Sequence, residues 1–144
     1  MIRADLRTYL LSQSDITDLV GTRIYWVRIP QKNPSDANYP CITYRRATGG
    51  HVHNLDGAQG YAEAIVEIDI WGPDSEVVEN VGEQVRESLQ GFRGEMGTTD
   101  VRRRVTLEDE QDFYYPSEVG DDVGVYRIQY KYKIGYGESV PSFS

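Results

Sequence analysis

His51 and His53 stand one residue apart in the stretch "TGGHVHNLDGAQG", with Asp56 close behind. On a strand the two imidazoles would face the same side and could share a metal ion. A glycine-rich loop with no further histidine, in a chain with a single cysteine, falls short of a zinc site. These are read as polar residues at a loop tip, and no metal or other cofactor is expected. The stretch "LEDEQD" (107–112) carries four carboxylates. A metal-dependent nuclease or a glycosidase would need such groups held at fixed separations in a cleft. Alternation along a strand puts only Glu108 and Glu110 on one face, with no basic partner nearby. The segment therefore reads as an acidic edge facing solvent or a partner. There is no G-x-S-x-G elbow and no phosphate-cradling glycine loop with Lys-Ser/Thr. Cys41, just after a proline in a predicted strand, is read as a small buried hydrophobe with no base to activate it.

Two basic groupings remain. Arg102, Arg103 and Arg104 with Arg45 and Arg46 could form a patch. Alternation separates Arg102 and Arg104 from Arg103, and Glu63, Glu67 and Asp69 on a neighbouring strand could balance them through cross-strand pairs. The run "VYRIQYKYKIGY" (125–136) alternates tyrosine with basic residues. A single-strand nucleic-acid platform would use Tyr126, Tyr130 and Tyr132 for stacking beside Arg127, Lys131 and Lys133. Strict alternation instead parts the aromatic face from the charged one. The run reads as a central strand whose tyrosines fill either the core or a seam between subunits.

The elements that must carry these residues follow from periodicity. Ile2, Leu6, Tyr9 and Leu10 make one stripe of a helix over about 2–12. "SQSDITDLVG" reads as a short turn in which Ile16, Leu19 and Val20 cover the core and Gly21 is the stop. Strands are predicted at 23–27, 41–47, 61–71, 100–110 and 123–136. The proline-rich 28–40 is a surface loop, 48–60 a glycine-rich hairpin connection or mobile loop, and 111–122 an acidic turn. Between strands lies a helix capped by Asp74 or Ser75 and ended by Gly91. Its buried stripe is Val77, Val78, Val81, Val85 and Leu89, with Gly82 allowing close approach to the sheet. The order predicts an α+β fold: about five strands, mostly antiparallel or mixed, with two main helices on one face. Residues 1–137 form the expected single domain and 138–144 a tail.

The totals narrow the function. The chain has 144 residues and a net charge of −8, against general duplex-DNA binding. Its basic residues are twelve arginines and three lysines, and it has 11 tyrosines. Arginine and tyrosine are both enriched at protein interfaces. No stretch approaches 18 consecutive apolar residues, so no membrane partner is expected, and the N-terminus does not read as a secretory signal. One cysteine gives no disulfide framework and suits synthesis in the cytoplasm.

Taken in order, "IRADLRTYLL", "ITDLVGTRIYWVRIPQ", "YPCITYRRATGG", "EAIVEIDIWGPDSEVVENVGEQVRESLQGFRG" and "VTLEDEQDFYYPSEVGDDVGVYRIQYKYKIGY" resemble the tail-completion, or tail-terminator, family of long-tailed bacteriophages, with relatives in gene transfer agents. The resemblance covers about residues 2–136. It departs at Trp26, where a proline or small residue is common, and in a long 30–40 loop. It implies a structural virion protein, not an enzyme: a homo-oligomeric ring, a hexamer, that caps the tail tube. Its partners would be the tail tube protein and the head–tail connector or stopper. Genome DNA would pass through the lumen without specific binding, at the neck of a particle assembled in the host cytoplasm. The alternatives are another neck component, a single-strand binding module, or a small carboxylate enzyme. The polarity and expected exposure of the loops select the contact residues. These are Gln31, Lys32, Asn33 and Tyr39; Arg45, Arg46, His51 and His53; Arg102 and Arg104; and Asp109, Glu110, Asp112, Tyr114 and Tyr115.

Overall fold

The computed structural model describes residues 2–29, 39–54, 57–116 and 124–138, the side chains of 52–54 and 57–59 excepted. The elements run α1 (Ile2–Leu11), α2 (Ser14–Val20), β1 (Ile24–Trp26), β2 (Cys41–Asn54), β3 (Gly57–Gly72), α3 (Ser75–Leu89), β4 (Gly94–Met96), β5 (Thr99–Val101), β6 (Thr106–Tyr115) and β7 (Val125–Gly137). One seven-stranded sheet has the order β1-β2-β3-β7-β5-β4, and β6 also pairs with β7. The β1–β2 pair is parallel and the others are antiparallel.

The α+β class is as expected, but there are more elements. The segment expected to be a turn after α1 is a helix, α2, with Ile16 and Val20 buried and Gly21 at φ 61 ending it. The glycine-rich 48–60 stretch is largely hairpin: β2 and β3 pair from Cys41↔Trp71 out to Asn54↔Gly57. Glycine is a poor strand former, and here the pairing of the two long strands overrides that preference. The expected 100–110 strand is split, β5 ending at Val101 and β6 beginning at Thr106. Strand β6 then continues to Tyr115, through half of what the sequence suggested was an acidic turn.

The core lies between the three helices and one face of the sheet. It takes Leu6 and Leu10 from α1, Ile16 and Val20 from α2, and Val78, Val81, Val85 and Leu89 from α3. The sheet supplies Ile42, Tyr44, Val66, Ile68, Ile70, Ile128, Tyr130, Tyr132 and Ile134. Each fully buried side chain of this size contributes about 1.5–3 kcal/mol. Tyr130 and Tyr132 are 1% and 0% exposed, so these tyrosines of the alternating strand fill the core of the subunit. Polar contacts tie α1 down: Asp5 accepts hydrogen bonds from Thr98 at 2.8 Å and Thr99 at 2.6 Å. Burial raises the Asp5 carboxyl pKa, but these bonds outweigh it and hold the group well below the usual carboxylate range. The Tyr9 hydroxyl donates to the Ser88 carbonyl at 2.6 Å, joining α1 to the end of α3.

Asp74 caps α3 by accepting from the Glu76 amide at 2.9 Å. At Gly82 the helix lies directly on the sheet. A Cβ there would meet the Tyr130 hydroxyl oxygen at 2.5 Å and its ring at 3.0 Å. Leaving glycine gains at most about 1 kcal/mol of helix propensity, whereas an overpacked core side chain costs about 1–3 kcal/mol. Gly82→Val is therefore expected to lower the denaturant-unfolding free energy by about 2 kcal/mol. A variant at least as stable as the parent would overturn this account of the helix–sheet contact.

Candidate assembly interface

Among the described residues, the second face of the sheet carries no helix. Antiparallel sheets tolerate one such face when its side chains are polar. Here the outward residues of β3 and β7 alternate in charge and are in register: Glu67 opposite Lys131, Asp69 opposite Gln129, Trp71 opposite Arg127. Glu67 lies between Arg45 Nη2 at 2.6 Å and Lys131 Nζ at 3.9 Å. Glu63 meets Lys133 at 3.5 Å and Arg103 at 3.9 Å. Asp69 accepts from Arg127 Nε at 2.9 Å. Burial raises the Asp69 carboxyl more than its bond and charge contact with Arg127 lower it, so it stands above its usual 3.8.

Arg127 is the hub of this face. Its guanidinium lies 5.0 Å from the Trp71 ring centre and 4.9 Å from that of Phe113. Its Nη1 donates to the Tyr115 hydroxyl at 2.9 Å, and Trp71 Nε1 donates to Thr43 at 2.9 Å. None of Trp71, Phe113, Asp69 or Arg127 was picked from sequence as a contact residue. Alternation along its strand puts Arg127 on the charged face, but the register joining it to Trp71 and Phe113 is not legible in the sequence.

The expected contact residues scatter around the fold. Gln31, Lys32 and Asn33, and the side chain of His53, lie outside the described residues. Tyr39 is half-buried, and burial raises its hydroxyl pKa. Arg45 is on the open face, while Arg46 is exposed on the helix side, opposite Val66. His51 Nδ1 lies 2.7 Å from the Glu138 carboxylate. Arg102 contacts Asp100 at 3.3 Å, and Arg104 donates to the Gly91 carbonyl at 3.1 Å. The expected balancing of arginines by β3 carboxylates is present at Arg45 and Arg103.

The acidic strand differs from the simple alternation. A bulge between Leu107 and Asp109 shifts its phase against β7. Glu108 stays beside Thr106, which donates to it at 2.9 Å, whereas Glu110 is opposite Tyr130 and Asp112 opposite Ile128, on the α3 side. The Glu108–Glu110 pair expected to share a face is thus separated, and the carboxylate-enzyme alternative loses its geometry. Asp109 faces the other way, accepting from Gln111 at 2.9 Å. Tyr114 packs on Tyr126 at 4.7 Å and Tyr115 on Trp71 at 6.0 Å, and both tyrosines of β6 remain exposed. The single-strand binder loses its platform too, since Tyr130 and Tyr132 lie in the core. Burial pushes both hydroxyls above their usual range. Cys41 is buried and its thiol is pushed up to about 12 by that burial, as suits an inert core residue.

Among the described residues, no group of three or more His, Cys, Asp or Glu is placed to hold a metal ion, and no helix is long and apolar enough to cross a membrane. The prominent features are an open, charge-paired sheet face and exposed aromatic residues along an edge. The fold and this surface define a class of small α+β subunit that offers surfaces for contact. The family model of the tail completion protein gp17 matches residues 4–136, and the chain belongs to that family. It is a structural component of a phage-type tail. Among solved structures, a chain from the virion of a native gene transfer agent particle has a TM-score of 0.70 at 14% identity, with 94% of each chain covered. No curated protein matches the chain by sequence.

The Asp69–Arg127 pair provides a test of how the open face is held. Removing one member of a buried ion pair costs about 3–5 kcal/mol; partial exposure of this pair puts Arg127→Leu near the lower end, about 3 kcal/mol at neutral pH. A carboxyl with a raised folded-state pKa contributes stability that is present at low pH and lost as pH rises through that value. The loss in Arg127→Leu should therefore be largest at pH 7 and shrink on acidification toward about pH 4, as read by denaturant unfolding at each pH. A loss independent of pH would show that Asp69 is not the group left unpaired.

Proposed function

We propose that this chain is the tail terminator: a subunit of a closed ring, a hexamer, that sits on the finished tail tube and joins it to the head connector. The observation that carries the reading is the family match over almost the whole chain, on a fold shared with a chain of a gene transfer agent virion. The mechanism is geometric. One face of the ring fits the last tube ring and blocks further addition, and the other fits the connector. A ring of identical subunits needs one heterologous contact repeated until it closes. No catalytic step is required. The segments 29–40, 48–60 and 108–122 supply axial or intersubunit contacts, and the place of action is the neck of a particle assembled in the host cytoplasm.

The charge pattern supports a conduit through which DNA passes without being held. A lumen with free clustered cations would bind phosphates and resist transit. On the open sheet face Arg45, Lys131, Lys133 and Arg127 each have a carboxylate partner within the subunit.

Electron microscopy of particles made without this chain tests the reading. Tail tubes of irregular, extended length that fail to join heads are expected. Tubes of normal, uniform length joined to heads would sink it.

A further inference from the structure

The ion pairs divide the charged surface into two kinds. On the open face, cations and carboxylates neutralise each other. At the two edges of the sheet they do not. Along β6, Glu108, Asp109, Glu110 and Asp112 have no Lys or Arg partner among the described residues. Glu79 of α3 lines the same groove of about 320 Å³ as Glu110 and Asp112 and adds to the negative charge there, while Glu83 in that lining is held by Arg86 at 2.9 Å and Arg127 by Asp69. At the opposite edge, Arg3, Arg7 and Arg28 gather around β1, lining a shallow cavity of about 500 Å³ with Tyr25 and Trp26. None of these arginines has a carboxylate partner among the described residues. Arg3 lies 4.7 Å over the Trp26 ring.

The exposed apolar side chains fall on the same two edges. Val27 is 54% exposed just past β1, and Tyr114 and Tyr115 are 51% and 42% exposed at the end of β6. Val27 is also backbone-strained: at φ 72, the Arg28 amide turns back to the Trp26 carbonyl at 2.8 Å, a conformation a β-branched residue rarely adopts. Local strain of this kind concentrates where a surface is used.

The backbone decides how the edges can be met. At β1 the Ile24 carbonyl already accepts from Arg7 Nε at 3.0 Å and the Trp26 carbonyl from the Arg28 amide at 2.8 Å, so this edge is closed to a further strand and must be met by side chains. Strand β6 pairs only with β7 among the described residues. Its carboxylates discourage two β6 edges from pairing with each other, since like charges would stand opposite. One edge is acidic and the other basic, so the favoured contact joins unlike edges. That is the head-to-tail arrangement that closes rings.

We propose that the acidic β6 edge of one copy docks on the Arg3–Arg28 edge of the next, with Tyr114 and Tyr115 against Val27. This rests on the ring reading above and names its seam. Native mass spectrometry and size-exclusion chromatography test it with two variants altered at exposed positions, Glu110→Lys/Asp112→Lys and Arg3→Glu/Arg28→Glu. The parent chain should form a ring. In each variant alone the reversed positions meet charges of their own sign across the seam, and the variant should remain monomeric. Their equimolar mixture should recover rings in which the two alternate, and this recovery also shows that both variants fold. Raising salt from 0.1 to 1 M shortens the Debye length from about 10 Å to about 3 Å, and should move the parent's assembly midpoint to about tenfold higher protein concentration. Parent rings with variants that still assemble alone, or a mixture of folded variants that stays monomeric, would overturn the seam and leave the ring reading standing. Salt-independent parent assembly would also count against the seam. A parent chain that stays monomeric in all conditions would overturn the ring reading and the seam with it.

Discussion

Strands β3 and β7 are paired from Tyr61↔Gly137 to Gly72↔Tyr126 without a break in register. Because side chains alternate strictly along each strand, this single pairing sets both faces at once. It brings Val66, Ile68 and Ile70 beside Tyr132, Tyr130 and Ile128 under the helices, and brings Glu67 and Asp69 beside Lys131 and Gln129 on the other side. A slip of one residue would bury the lysines and expose the tyrosines. The close approach of α3 depends on the same register, since Gly82 has its counterpart in the ring of Tyr130. The charge ladder depends on it equally.

Period made much of this fold legible in the sequence. The α1 stripe, the α3 stripe with its Asp74 cap and the alternating tyrosines of β7 could all be read directly. What could not be read were outcomes of tertiary pairing. Helix α2 is only seven residues long and has little helical period to display; its packing under α3 and α1 holds it. The outer half of the β2–β3 hairpin is rich in glycine, with weak propensity of its own, and takes strand form because two long strands align. Strands β4 and β5 are three residues each, too short to show alternation.

The contact surface was less legible for the same reason. Polarity marked the right neighbourhood in the 109–115 segment, but the bulge beside Glu108 decided which carboxylates face α3 and which face away. A bulge is a property of two strands together, and nothing in "LEDEQD" alone announces it. The Trp71–Arg127–Phe113 cluster draws on three strands, β3, β7 and β6, whose registers meet only in the folded sheet. Individual arginines looked alike in sequence. The structure separates those spent inside the subunit, such as Arg45 and Arg127, from Arg3 and Arg28, which have no carboxylate partner among the described residues.

That separation bears on how a subunit with a bare sheet face can be a component of a larger assembly. An apolar open face would drive unselective association before assembly, and a face of one charge would repel its copies or capture nucleic acid. Pairing the charges in place leaves the face hydrated but without net attraction for phosphate. Net charge, −8 over the whole chain, describes none of this. What matters is where neutralisation fails. At the two edges of the sheet it fails with opposite sign, and the exposed apolar side chains fall in the same places. In the proposed seam, charge supplies direction and excludes like-with-like pairing, while the apolar groups supply area to bury. An interface of this composition would discriminate by orientation, as the proposed ring of identical parts requires.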